Sequence, residues 1–208
     1  MSEPPTSGTW TWQKCEADIR SLSGRLGFPK QAGDVLEFLR LRVIPAEKTM
    51  RDTLRDDEPV ERQGLTIAVL YYYAKASEVP LTGSLISFRQ LPGGMAYDAA
   101  FRKRAVERVA RTFGERPEAL EKAALVLRGR KIPFQTTSVQ VPALPLVPLT
   151  VNLWPKSAEF QASANILFDS TASHYLPTEV LANLAELLSF RLRQADMFIT
   201  EKAALVPK

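Results

Sequence analysis

The strongest periodic signal lies near the end of the chain. In "PTEVLANLAELLSFRLRQA", Val180, Leu184, Leu187, Leu188 and Leu192 share one side of a helix, and Pro177 stands in its first turn. A second stripe recurs every four residues in "AYDAAFRKRAVERVARTFG", through Tyr97, Phe101, Ala105, Val109 and Phe113. "VERQGLTIAVLYYYAKA" carries Ile67, Leu70, Tyr71 and Ala74 at helical spacing; Asp57 or Glu58 could cap it, with Pro59 early in the first turn. Shorter helices are predicted in "QKCEADIRSLSGRLGF" and, opening on Pro117, in "RPEALEKAALVLRG".

Strand signals alternate with these helices. "DVLEFLRLRVI" alternates imperfectly and reads as one strand. Leu85, Ile86 and Phe88 make a short strand closed by Pro92, Gly93 and Gly94. The prolines of "SVQVPALPLVPLTVNLWP" predict an extended edge segment as far as Pro148, followed by a strand over 149–154. After the turn "PKSA", "EFQASANILFD" returns as a second strand and completes an antiparallel hairpin. The expectation is an α+β fold: a mostly antiparallel sheet of about four or five strands, helices packed on one face, and a long C-terminal helix. Residues 1–10 read as a flexible tail and 11–208 as one α+β domain.

Composition narrows the setting without naming an activity. A formal net charge of +4 is a mild basic excess, too small by itself to indicate a nucleic-acid partner. The basic run "FRKRAVERVAR" includes Glu107 and reads as a solvated helix face, so nucleic-acid binding ranks third among the functions considered. Cys15 is the only cysteine, which excludes an internal disulfide or a cysteine-held zinc site and suits a reducing cytoplasm. No secretory signal or membrane-spanning run is expected.

The series "LTGSLISFRQLPGG", "ALPLVPLTVNLWP" and "EFQASANILFDSTASHYLPTEVL" resembles an uncharacterised prokaryotic family known only as a domain of unknown function. Its members come largely from anaerobic bacteria and archaea, and some carry an iron–sulfur segment. The resemblance runs from about residue 36 to 192. It implies a shared fold and no activity, since the family has no established one. The leading expectation is an accessory or ligand-binding module. The metallocofactor or redox setting expected for it, with a small molecule, a cofactor of unknown identity or an iron–sulfur partner protein as ligand, rests on the resemblance alone. The four-cysteine segment is missing here, so an electron-transfer role does not carry over. Where relatives have an acidic, glycine-containing turn this chain reads "PKSAEF", leaving Glu159 as its carboxylate.

Candidate chemistry centres on "FDSTASHYLPTEVL", which holds the one histidine. Asp169, Ser170, Thr171, Ser173, His174 and Tyr175 stand at the passage from a strand end to a helix start, where free amides and hydroxyls can hold an anionic group. His174 could serve a small-molecule hydrolase or transferase as a base, although no nucleophile elbow is present. The alternative is a structural turn in which Asp169 and Ser170 bond backbone amides. In "ISFRQLPGG", Arg89 could pair with a carboxylate or phosphate, and Gly93 and Gly94 permit close backbone approach. The same stretch also suits an ordinary turn between strand and helix.

Overall fold

The computed structural model describes residues 10–134 and 136–204, so most of the segment read as a tail lies outside the described residues. The chain is α+β, and among the described residues all strand pairings are antiparallel. They form two sheets rather than one. Helix α1 (Trp12–Arg20) precedes a small meander of β1 (Leu36–Phe38), β2 (Leu41–Ile44), β3 (Thr49–Asp52) and β4 (Glu58–Pro59). Helix α2 (Gly64–Ala74) follows, and then β5 (Leu85–Ser87). Next come α3 (Gly94–Phe101), a π turn (Arg102–Val106), α4 (Glu107–Phe113) and α5 (Pro117–Val126). Strands β6 (Arg130–Lys131), β7 (Thr137–Leu144), β8 (Val147–Trp154) and β9 (Ser163–Asp169) complete a larger sheet in the order β5-β9-β8-β7-β6. The short α6 (Ala172–Tyr175) and the long α7 (Thr178–Ala204) close the chain.

Several expectations change. "DVLEFLRLRVI" is a hairpin, β1 and β2, whose two-residue turn is Leu39–Arg40. Both turn residues have positive φ, 47° and 61°, as a tight hairpin turn requires. Neither is Gly, Asn or Asp, so the usual sequence marker is missing. Glu58 and Pro59 do not start a helix. They pair with Asp52 and Arg51 as β4, and α2 begins at Gly64.

The proline-rich segment is a full strand of the larger sheet, not an edge extension. β7 pairs with β6 on one side and β8 on the other. Pro142 faces Pro148 next to the hairpin turn, with a register shift between Pro142 and Leu144. The lost ladder donors therefore fall at a bulge near the strand ends, where prolines are tolerated. The β8–β9 hairpin forms, with Trp154 opposite Ser163, but its connection runs over 155–162 and the second strand starts at Ser163 rather than Glu159.

The second stripe is held on one face by the π turn. At about 3.6 residues per turn, a four-residue repeat drifts by about 40° per step. A wider i→i+5 turn takes up that drift, and Phe101, Ala105, Val109 and Phe113 are all enclosed. Tyr97, before the π turn, is exposed. The Ser189 hydroxyl sits 3.0 Å from Ala105 O and 2.9 Å from Ala185 O, fastening α7 to this turn.

Helix α7 crosses the core with Val180, Leu184, Leu188 and Leu192 enclosed. In "YYY" the buried member is Tyr73, whereas Tyr71 and Tyr72 are half-buried beside Trp10. Tyr73 Oη donates to Leu26 O at 2.8 Å and accepts from Leu146 N at 3.1 Å. Burial pushes its phenol pKa up.

Candidate functional site

The histidine loop is built around Asp169, at the end of β9. Oδ1 accepts from the amide and hydroxyl of Thr82 (3.3 and 3.0 Å) and of Thr171 (3.0 and 2.7 Å). Oδ2 accepts from Gly83 N at 2.7 Å. Burial opposes the charged form, but the bonds from Thr171, Thr82 and Gly83 prevail, and the pKa lies below its ordinary value. Ser170 adds a hydroxyl contact of 2.7 Å to Thr82 and an amide bond of 2.8 Å to Ser84 O. Asp169, Ser170 and Thr171 thus clamp the lead-in of β5 to the end of β9.

The rest of the loop divides in two. Tyr175 is buried; its hydroxyl donates to Val79 O at 2.5 Å and accepts from Val79 N at 2.9 Å. Ser173 and His174 are exposed, and His174 Nε2 lies 3.3 Å from Ser77 Oγ. Pro177 immediately precedes α7, and its carbonyl accepts from Val180 N and Leu181 N.

The second candidate stretch lies nearby: Thr178 Oγ1 donates to Pro92 O at 2.7 Å. Gly93 takes φ 71° at the start of α3. Gly94 is required by packing, since a Cβ there would fall 2.0 Å from Phe88 O. Arg89 is exposed and reaches Asp98 only at 3.9 Å. The basic run is partly tied down: Arg104 and Arg108 approach Glu186 at 3.5 and 3.8 Å.

A separate concave site emerges between the small meander, the start of α2 and the middle of α7. It is a cleft of about 550 Å³. Leu65, Leu187 and Phe190 give it apolar sides, and Phe190 keeps 40% of its surface exposed. Arg191 and Asp52 are at its base, 2% and 5% exposed. Arg191 Nη1 and Nη2 donate to Asp52 Oδ2 and Oδ1 at 2.6 and 2.7 Å. The same guanidinium donates to Leu39 O (2.8 Å), Arg40 O (3.2 Å) and Gln194 Oε1 (2.5 Å). Asp52 Oδ1 also accepts from Leu54 N at 3.0 Å. This pair fixes the β1–β2 turn against α7 and gives the cleft a rigid base.

Sequence reasoning passed over Asp52, Thr66 and Arg191. Arg191 had a readable signal: it falls seven residues after Leu184 and four after Leu187, on the apolar side of α7. A charged residue on that stripe calls for a buried partner. Nothing local identifies Asp52 as that partner, because the two are 139 positions apart.

Among the described residues, no group of three or more His, Cys, Asp or Glu side chains could hold a metal ion. No described helix is long and apolar enough to cross a membrane. Fold and cleft together define an α+β protein with two antiparallel sheets and a charged-floored hollow against its longest helix. Residues 18–191 match the family model described as Domain of unknown function (DUF3786), and the chain belongs to that family. No curated protein and no solved structure matches the chain.

Proposed function

We propose that this chain is a ligand-binding accessory module and that the hollow between α2 and α7 receives a small molecule. The observation that carries the reading is the cleft itself: about 550 Å³, with Phe190 40% exposed above a fully hydrogen-bonded base. Small-molecule sites combine this concavity with apolar walls and a few fixed polar groups. A metallocofactor or redox setting is supported by the family resemblance alone. The test is a fragment screen followed by backbone amide NMR. Hits should perturb Leu65, Thr66, Leu187 and Phe190, and Leu187→Trp, which fills the hollow, should abolish them. Hits that leave those amides unmoved would overturn the assignment.

A second reading, a hydrolase or transferase, is favoured by one contact: His174 Nε2 and Ser77 Oγ at 3.3 Å resemble a base and its nucleophile. In this reading the ligand lies against the exposed side of the His174 loop, beside Ser173. The cleft is the preferred site because the His174 ring has no other side-chain hydrogen bond among the described residues to orient it. Covalent labelling of Ser77 by a fluorophosphonate, lost in His174→Asn, would reverse that preference.

A further inference from the structure

We infer that the cleft selects an organic anion, holding a carboxylate or phosphate head at the start of α2 and an apolar body along Leu65, Leu187 and Phe190. The inference rests on the cleft being the ligand site, and it adds the class of ligand.

A helix start leaves amide donors that a Ser, Thr, Asp or Asn side chain normally satisfies. Here the residue before the helix is Gln63, and it does not cap. Its Nε2 donates to Val60 O at 2.7 Å, and its Oε1 accepts from Trp12 Nε1 at 2.5 Å. The first turn contains no acidic residue. The amides of Leu65 and Thr66 consequently make no hydrogen bond to a described residue, and both residues form the cleft wall. Uncapped amides at the positive end of a helix attract an anion.

Thr66 points to the same ligand independently. It is only 3% exposed, and its hydroxyl has no hydrogen-bond partner among the described residues. That oxygen is not among the fully enclosed unpaired atoms, and Thr66 is one of the residues that line the cleft. A buried hydroxyl is normally paired. Here it is left as a donor beside the uncapped amides.

The charges around the cleft permit this assignment. Its carboxylates are mostly engaged: Asp52 with Arg191 at 2.6 Å, Glu58 with Arg55 at 2.9 Å, and Glu186 with Arg104 and Arg108. Glu61 and Arg62 enter no ion pair among the described residues and offset each other at the rim. The helix start is then the uncompensated positive feature. Phe190 and Leu187, on the facing helix, suit an alkyl or ring body better than a bare inorganic ion.

The test uses the whole chain with octanoate, octyl phosphate, octylamine and inorganic phosphate as probes, followed by titration calorimetry and amide NMR. Octanoate or octyl phosphate should bind and shift the amides of Leu65 and Thr66. Inorganic phosphate should bind more weakly than octyl phosphate, and octylamine should not bind. Thr66→Val, nearly isosteric, should weaken anion binding about tenfold, the size expected for one hydrogen bond to a charged group. Arg62→Gln, at an exposed position, should weaken it several-fold and reduce its dependence on salt. Octylamine binding as tightly as octanoate would overturn the anion assignment while leaving the cleft as the ligand site. So would anion affinity unchanged in Thr66→Val. If no probe moves the cleft amides and fragments bind elsewhere, the cleft reading itself fails.

Discussion

Arg191 on α7 and Asp52 on β3 form a two-pronged ion pair, 2.6 and 2.7 Å, almost wholly removed from solvent. Arg191 also holds the carbonyls of Leu39 and Arg40, the positive-φ turn between β1 and β2. One side chain therefore joins the meander to the longest helix. Arg191→Met should cost about 3–5 kcal/mol, because it leaves the Asp52 carboxylate buried without its cation. Replacing both residues by apolar ones should recover part of that loss. Urea midpoints of the two single variants and the double variant test this coupling; additive losses would contradict it.

Leu188 reports on the core side of α7. It is fully enclosed, as are Leu184 and Leu192 on the same face. Leu188→Ala should cost about 2–5 kcal/mol, the range for an enclosed leucine whose surroundings relax only partly. A urea midpoint shift no larger than that of an exposed α7 control such as Arg193→Ala would contradict this placement.

Asp169 should make the fold sensitive to acid. Its folded pKa lies below the ordinary value because hydrogen bonds to the carboxylate outweigh burial. A depressed pKa contributes stability that is present above the unfolded value, about 3.9. That stability is lost as pH falls through the folded value. Asp169→Asn should therefore cost about 1–3 kcal/mol at pH 7, and the gap from wild type should narrow below about pH 4. Urea midpoints across that range provide the measurement; a gap that widens on acidification would show that the sign is wrong.

These residues show which parts of the fold were readable. α7 was legible because Val180, Leu184, Leu188 and Leu192 keep helical spacing beside Pro177. The β8–β9 pairing was legible from the apolar runs on either side of "PKSA", although the connection is longer than that turn. The β1–β2 hairpin was hidden because its turn, Leu39–Arg40, lacks a turn-forming residue and depends on a distant arginine. β7 was misjudged because Pro142 and Pro148 suggest an edge, whereas tertiary pairing places them at a bulge. The histidine loop stood out by composition. The cleft did not, since it joins residues from β2, β3, α2 and α7 that are remote in sequence and chemically ordinary.

Gly94 provides a steric test of the loop before α3. A Cβ at this position would lie 2.0 Å from Phe88 O and 3.0 Å from the same carbonyl carbon. Backbone, not a movable side chain, stands in the way. Gly94→Ala should therefore destabilise despite alanine's better helix propensity, by about 1–3 kcal/mol as an overpacked site does. A thermal melt at or above wild type would show that the loop can yield.

His174 and Tyr175 are neighbours with opposite expected sensitivities. The His174 ring is exposed; it stands edge-on to Tyr175 at 5.6 Å, and its one side-chain hydrogen-bond contact among the described residues is 3.3 Å to the exposed Ser77. Surface substitutions of this kind change stability by about 0.5 kcal/mol or less, so His174→Asn should melt close to wild type. Tyr175 is 2% exposed and occupies both hydrogen-bonding groups of Val79 with its hydroxyl, at 2.5 and 2.9 Å. Tyr175→Phe preserves the ring packing but leaves the half-buried amide and carbonyl of Val79 without that partner. Its cost should be about 1–3 kcal/mol, the penalty for stranded polar groups. Parallel thermal melts of the two variants test the contrast. If His174→Asn proved the more damaging, the loop would depend on the imidazole and the structural role assigned to its tyrosine would be wrong.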